Sequence, residues 1–156
     1  GLIRSLSLVD VREAGVKRLI AAIALGLAAC GQGPAPLIVD NAQYRPPLGA
    51  SGIGVAYFSV TSANADWIVG VSSPLADRIE MHASVRNGDQ VSMQQLETIE
   101  LPAGKPVVFG PNGMHLMIFA PKALEAGATF PIQIELQSGR GETFAFHPAL
   151  SGAVGR

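Results

Sequence analysis

All four methionines (Met81, Met93, Met114, Met117) and two of the three histidines (His82, His115) fall between positions 81 and 117. Thioether sulfur and neutral imidazole together favour a soft cation, because hard ions want oxygen ligands and zinc sites draw on Cys, His or carboxylate. Cu(I) is the ion these residue types select, with His82, Met93, His115 and Met117 as candidate ligands for one ion per chain. From composition alone, a His followed by Met, His and Met at these offsets arises with a frequency on the order of 10⁻⁵. No other group of side chains offers comparable chemistry. Glu80, Glu97, Glu100 and Glu135 are scattered over strand-like segments. No nucleophile-base set or carboxylate pair follows from spacing, so no catalytic residue is assigned and an enzyme is not expected.

The elements that must position the ligands are read from period-two alternation. Asn87-Gly88 between two alternating runs predicts a two-residue type I′ hairpin that pairs 86 with 89, 84 with 91 and 82 with 93. His82 and Met93 would then face each other with Cβ atoms roughly 4.5–5.5 Å apart. His115 and Met117, one residue apart, point to one side of their strand, and Met114, Leu116 and Ile118 to the other. By the same alternation Ile79, Met81, Ala83 and Val85 face the core, while Glu80, His82, Ser84 and Arg86 face away. The four ligands are thus expected off the main core, in a shallow rim site. Met81 and Met114 are read as core residues, with auxiliary ligation as the alternative. The third histidine, His147, is read as a non-ligand.

The rest of the chain supports an all-β reading. Of 156 residues, 48% are apolar and 15% charged, and 18 Gly and 11 Pro favour many turns over long helices. Apolar alternation recurs from Ile53 to Ser62, Trp67 to Ser72, Ile79 to Arg86, Val91 to Leu96, Pro106 to Phe109, Met114 to Phe119, Ile132 to Leu136 and Thr143 to Phe146. Short strands at this spacing, separated by turn chemistry such as Pro102-Ala103-Gly104 and Pro111-Asn112-Gly113, predict a Greek-key β-sandwich. Gly52-Ile53-Gly54 lacks the strand-to-helix context of a phosphate loop, and its glycines are read as turn residues. A net charge of −1 with scattered Lys and Arg excludes a basic field for nucleic acid.

The N-terminal part reads as a targeting segment. Val16-Lys17-Arg18 precedes an apolar run, Leu19 to Ala29, too short to span a bilayer as a mature helix. It ends in Leu27-Ala28-Ala29-Cys30, which resembles the bacterial lipobox, where the cysteine sulfur carries a diacylglycerol. The expected division is 1–15 an upstream extension, 16–29 a lipoprotein signal peptide, 30–36 the lipidated Cys30 and linker, 37–148 the folded domain and 149–156 a tail. Cys30 is the sole cysteine, so the domain itself has no thiol. The implied location is the periplasm or cell envelope, with the chain held at a membrane by the lipid on Cys30.

Written as His-x10-Met-x21-His-x-Met, the candidate ligands resemble the motif of the periplasmic copper chaperones called PCu(A)C. Ser72-Ser73-Pro74, Ile79-Glu80-Met81-His82, Leu101-Pro102-Ala103-Gly104 and His115-Leu116-Met117 are also similar to that family. The resemblance covers about Leu37 to Phe146. It implies a cupredoxin-like β-sandwich, a monomer, that holds Cu(I) near its surface. It also implies delivery to a copper-accepting membrane protein such as the copper subunit of cytochrome c oxidase. Imidazole protonation near its ordinary pKa of about 6.5 would weaken the site. The rival readings are a metal-free β-sandwich scaffold lipoprotein and a copper storage or electron-transfer protein. A blue-copper carrier needs a thiolate ligand, which Cys30 in a lipobox cannot supply.

Overall fold

The computed structural model describes residues 34–149, so the expected signal segment and Cys30 lie outside the described residues. Among the described residues there is no helix, and ten strands follow in order: β1 Ile38–Arg45, β2 Ile53–Thr61, β3 Asp66–Ser72, β4 Arg78–Asn87 and β5 Gln90–Leu96, then β6 Ile99–Leu101, β7 Val107–Phe109, β8 Met114–Phe119, β9 Phe130–Leu136 and β10 Gly141–Pro148. They form one continuous sheet in the order β5-β4-β8-β7-β2-β1-β10-β9-β3-β6, with β8 also paired to β2. Crossovers place β8 beside β4 and β10 beside β1, and the sheet folds over itself into a β-sandwich.

The alternation that marks the strands also builds the core. In β2, Ala56, Phe58 and Val60 are buried and the intervening residues half-buried. Ile132, Ile134 and Leu136 of β9 do the same from the opposite layer. Phe58 stacks on its cross-strand partner Phe109 at 4.2 Å between centroids, and its edge-on contact with Phe146 of β10 at 5.3 Å reaches across the core. Tyr44 stacks on Phe130 at 4.4 Å. Gly54 makes room for this: a Cβ there would lie 2.9 Å from the Tyr44 ring and 3.0 Å from the Arg45 carbonyl. Gly54 is therefore a strand residue under close approach, not the turn residue expected; Gly52, at φ +65°, lies in the loop between β1 and β2.

Two strands are not legible from alternation. In β1 the pairing to β2 shifts between Asp40 and Gln43, around Asn41 at φ 53°. One extra residue is accommodated there, so the inward positions run Val39, Ala42, Tyr44 and break the period of two. β6 does alternate, with Ile99 and Leu101 buried about an exposed Glu100, but the run is only three residues long and does not stand out in the sequence.

The β4–β5 hairpin corrects the expected register. Asn87 pairs with Gln90, Ser84 with Met93 and His82 with Gln95, so the turn is Gly88-Asp89 and His82 does not face Met93. A type I′ turn needs positive φ at both central residues. Gly88 has φ 63°, whereas neither Asn87 nor Asp89 has positive φ. Gly88 therefore takes the first central position, the type II′ preference. The slip is two residues, so face parity survives. His82 and Met93 become diagonal neighbours on one face, at about 7–8 Å instead of directly opposed.

Candidate metal centre

Three cross-strand pairs between β4 and β8 define the candidate site: Arg78 opposite Phe119, Glu80 opposite Met117 and His82 opposite His115. Because each is two residues from the next, all six side chains share one face of the sheet. The two imidazole centroids are 5.9 Å apart with planes inclined at 31°. Met93 joins the same face from β5, opposite Ser84.

Burial across this face is uneven, and sheet position explains it. β8 has neighbours on both sides, whereas β5 ends the sheet. His115 is accordingly buried, at 6% exposure, although it points away from the main core. That corrects the expectation of a uniformly shallow site. Met117 is half-buried, while Met93 on the edge strand is 62% exposed. The centre is thus walled on the β8 side and open on the β5 side.

Hydrogen bonding assigns the imidazole protons. His115 Nδ1 lies 3.1 Å from the Gly113 carbonyl oxygen, and a carbonyl only accepts, so Nδ1 carries the hydrogen and Nε2 presents a bare lone pair. His82 Nε2 lies 2.9 Å from Glu80 Oε2. Arg78 beside it, then His82, hold the Glu80 carboxyl below its usual range. Glu80 is therefore an ionised acceptor, and His82 donates from Nε2 and presents a bare Nδ1. The two lone-pair nitrogens, His82 Nδ1 and His115 Nε2, are buried and have no hydrogen-bond partner. Leaving a buried acceptor unsatisfied costs roughly 1–3 kcal/mol. Metal-ligating histidines characteristically donate their other N–H to a carboxylate or a backbone carbonyl, and both arrangements are present here.

The chemistry open to this pair is limited by what surrounds it. Among the described residues, no three His, Cys, Asp or Glu side chains are grouped to hold a metal ion. Two imidazoles alone leave coordination positions free, and the remaining donors on that face suited to a soft ion are the thioethers of Met117 and Met93. Such a donor set suits a soft monovalent ion better than zinc, calcium or magnesium.

The other sequence candidates lie apart from this face. Met81 is buried in the core at 4% exposure, and Met114 packs half-buried against the same cluster. His147 is exposed on β10, beside Gln43 of β1, and β1 and β2 stand between it and β8. A cleft of about 530 Å³ lined by Tyr44, Pro47, Pro121 and Leu124 includes none of the candidate ligands. Sequence reasoning assigned no role at the site to Gly113, Arg78 or Phe119, and it placed Glu80 on the His82 face without giving it one. That placement, two residues before His82 on one strand face, already put the carboxylate within reach of the ring.

Comparisons with known proteins agree with this architecture. A profile of the family described as "Putative lipoprotein LpqE-like" matches residues 37–147. A lipoprotein of Leifsonia xyli subsp. xyli, "Putative lipoprotein Lxx21020", is 27% identical over 135 residues, covering 77% of this chain and 80% of its own. Among solved structures, the copper-bound PCuAC domain from PmoF2 superposes with a TM-score of 0.60 at 16% identity, covering 74% of this chain and 94% of that domain. Cu(I)-bound DR1885 from Deinococcus radiodurans gives a TM-score of 0.58 at 21% identity, covering 76% of this chain and 82% of its own. With the all-β sandwich of PCuAC domains and a family match across most of its length, the chain belongs to the LpqE-like lipoprotein family.

Proposed function

We propose that this domain binds one Cu(I) through His82, Met93, His115 and Met117 and delivers it to another protein. The observation that carries the reading is the pair of buried, unpartnered lone-pair nitrogens on His82 and His115, each ring held from behind by an acceptor. The two thioethers on the same face complete a neutral, soft donor set. Thioethers need no deprotonation to bind and form no disulfides, which suits an oxidising envelope compartment. The copper-bound state of the PmoF2 domain and of DR1885, proteins of the same fold, supports copper as the cargo.

The unequal exposure of the ligands supports delivery. Met93 stands on the open edge strand, so an incoming thiolate displaces this ligand first, while the His82–His115 pair stays in its walled position. Thiolates bind Cu(I) more strongly than thioethers, so exchange runs toward a thiolate-containing acceptor. The acceptor in this reading is a copper-binding membrane protein such as the copper subunit of cytochrome c oxidase. Membership of a lipoprotein family supports a lipid on Cys30, which would hold the domain at the membrane surface beside that acceptor.

Competition against a chromophoric Cu(I) chelator tests binding. One-to-one uptake is expected, and it should be lost in a Met93→Leu, Met117→Leu double variant. Absence of uptake, or full retention in the double variant, would refute the site. Mixing the Cu(I)-loaded chain with a purified apo copper domain of the oxidase tests delivery, with His115→Ala as the negative control.

A further inference from the structure

The His82 side chain is held by a chain of contacts that begins two cross-strand pairs away. Arg78 and Phe119 stand directly opposite each other, and the guanidinium carbon lies 3.7 Å above the Phe119 ring centroid. Arg78 Nε donates to Glu80 Oε1 at 2.8 Å. The other oxygen of the same carboxylate, Oε2, accepts from His82 Nε2 at 2.9 Å. Exposure falls along the series, from 58% for the Arg78 side chain to 21% for Glu80 and 13% for His82.

A carboxylate on a strand surface with one hydrogen-bonded neighbour can rotate into water, because solvent offers equivalent donor partners. Here both oxygens are engaged, on opposite sides. A flexible cation would not hold one of them in place, but a planar guanidinium against an aromatic face is pre-organised, which a lysine could not match. We propose that Phe119 and Arg78 are positioning residues. Through Glu80 they keep Nε2 of His82 engaged, so that Nδ1, the buried nitrogen without a partner, stays free as a lone-pair donor. Neither residue touches the ion in this scheme. The inference rests on the Cu(I) reading for its purpose but on the contacts alone for its geometry.

The test uses the full chain, metal-free and then loaded, in four forms: wild type, Phe119→Leu, Arg78→Leu and Phe119→Tyr. In the metal-free state, imidazole NMR follows the side-chain N–H protons. The His82 Nε2–H resonance should be observable in wild type and Phe119→Tyr and exchange-broadened in Phe119→Leu and Arg78→Leu. The His115 Nδ1–H resonance, bonded to Gly113, should persist in all four and serves as the internal control for folding. Cu(I) affinity should fall about threefold to tenfold in the two leucine variants and recover in Phe119→Tyr. This is below the tenfold to hundredfold loss typical of deleting the hydrogen-bonded partner itself. A His82 N–H that stays protected in both leucine variants would overturn the proposal, as would unchanged affinity. If wild type takes up no Cu(I), the copper reading falls, and the His82 resonance still decides the positioning claim.

Discussion

His82 and His115 are directly opposed on neighbouring antiparallel strands, their ring centroids 5.9 Å apart, and each carries one buried nitrogen without a hydrogen-bond partner. A fold that buries two lone pairs without partners is less stable in the metal-free state than it could be. Binding a cation that accepts both lone pairs removes that penalty, so affinity and stability are linked.

Replacing His115 should separate the two. His115→Leu removes the unsatisfied Nε2 together with the Nδ1 bond to Gly113, whose carbonyl still accepts from the Ser84 backbone N–H at 3.1 Å. The gain and loss are of similar size, so metal-free stability should change by no more than about 1 kcal/mol. The stabilisation that Cu(I) confers on wild type should disappear. Denaturant unfolding with and without Cu(I) measures both quantities, and a large loss of metal-free stability would show that His115 is a structural residue.

Exposure ranks the methionines for oxidation. In the metal-free protein, dilute peroxide should convert Met93, 62% exposed, well before Met81, at 4%, because sulfoxide formation follows access. Peptide mass spectrometry gives the order, and protein oxidised at Met93 alone should bind Cu(I) more weakly. Equal rates at the two positions would contradict the exposed edge.

Gly54 should not tolerate a methyl group. A Cβ would press on the Tyr44 ring, itself stacked on Phe130, and on the Arg45 backbone carbonyl, neither of which can give way cheaply. Gly54→Ala is expected to cost about 1–3 kcal/mol, read as a lower unfolding midpoint, with Gly49→Ala in an open turn as the comparison. Gly49 has no neighbour to meet its Cβ, although its φ of +62° adds local strain.

Asp66 contributes an acid-sensitive tie. Its carboxylate accepts from the Trp67 and Ser138 backbone N–H groups and so joins the start of β3 to the β9–β10 turn. Hydrogen bonding with Ser138, the largest cause, and with Trp67 holds its pKa below the ordinary 3.8. A lowered folded-state pKa gives stability that is present above the unfolded-state value and lost as pH falls through the folded one. Asp66→Asn should therefore lower stability at neutral pH by less than about 1 kcal/mol, the group being exposed. The gap to wild type should close below pH 3.8, whereas a constant difference across pH would argue that the charge plays no part.

Much of this protein was legible from residue order because face parity is a local property. Period-two alternation places His82, His115 and Met117 on one side of their strands and Met81 and Met114 on the other, whatever the strands later pair with. That parity survived even the two-residue error in the hairpin. β1 escaped notice for the complementary reason: a single extra residue near Asn41 breaks the alternation on which such reading depends.

The sequence by itself determined the donor types, their faces and the all-β architecture, since composition, alternation and turn residues act over a few neighbours. Tertiary structure decided the rest. Whether β4 lies beside β8, which residue opposes which, and which strand forms the edge all depend on pairings between distant segments. The opposition of His82 and His115, the burial of one and the exposure of Met93 follow from those pairings alone. The acceptors behind the two rings are local, Glu80 and Gly113 each two residues before its histidine, but the Glu80 carboxylate is steadied through Arg78 by Phe119, which only the pairing of β4 with β8 brings into reach.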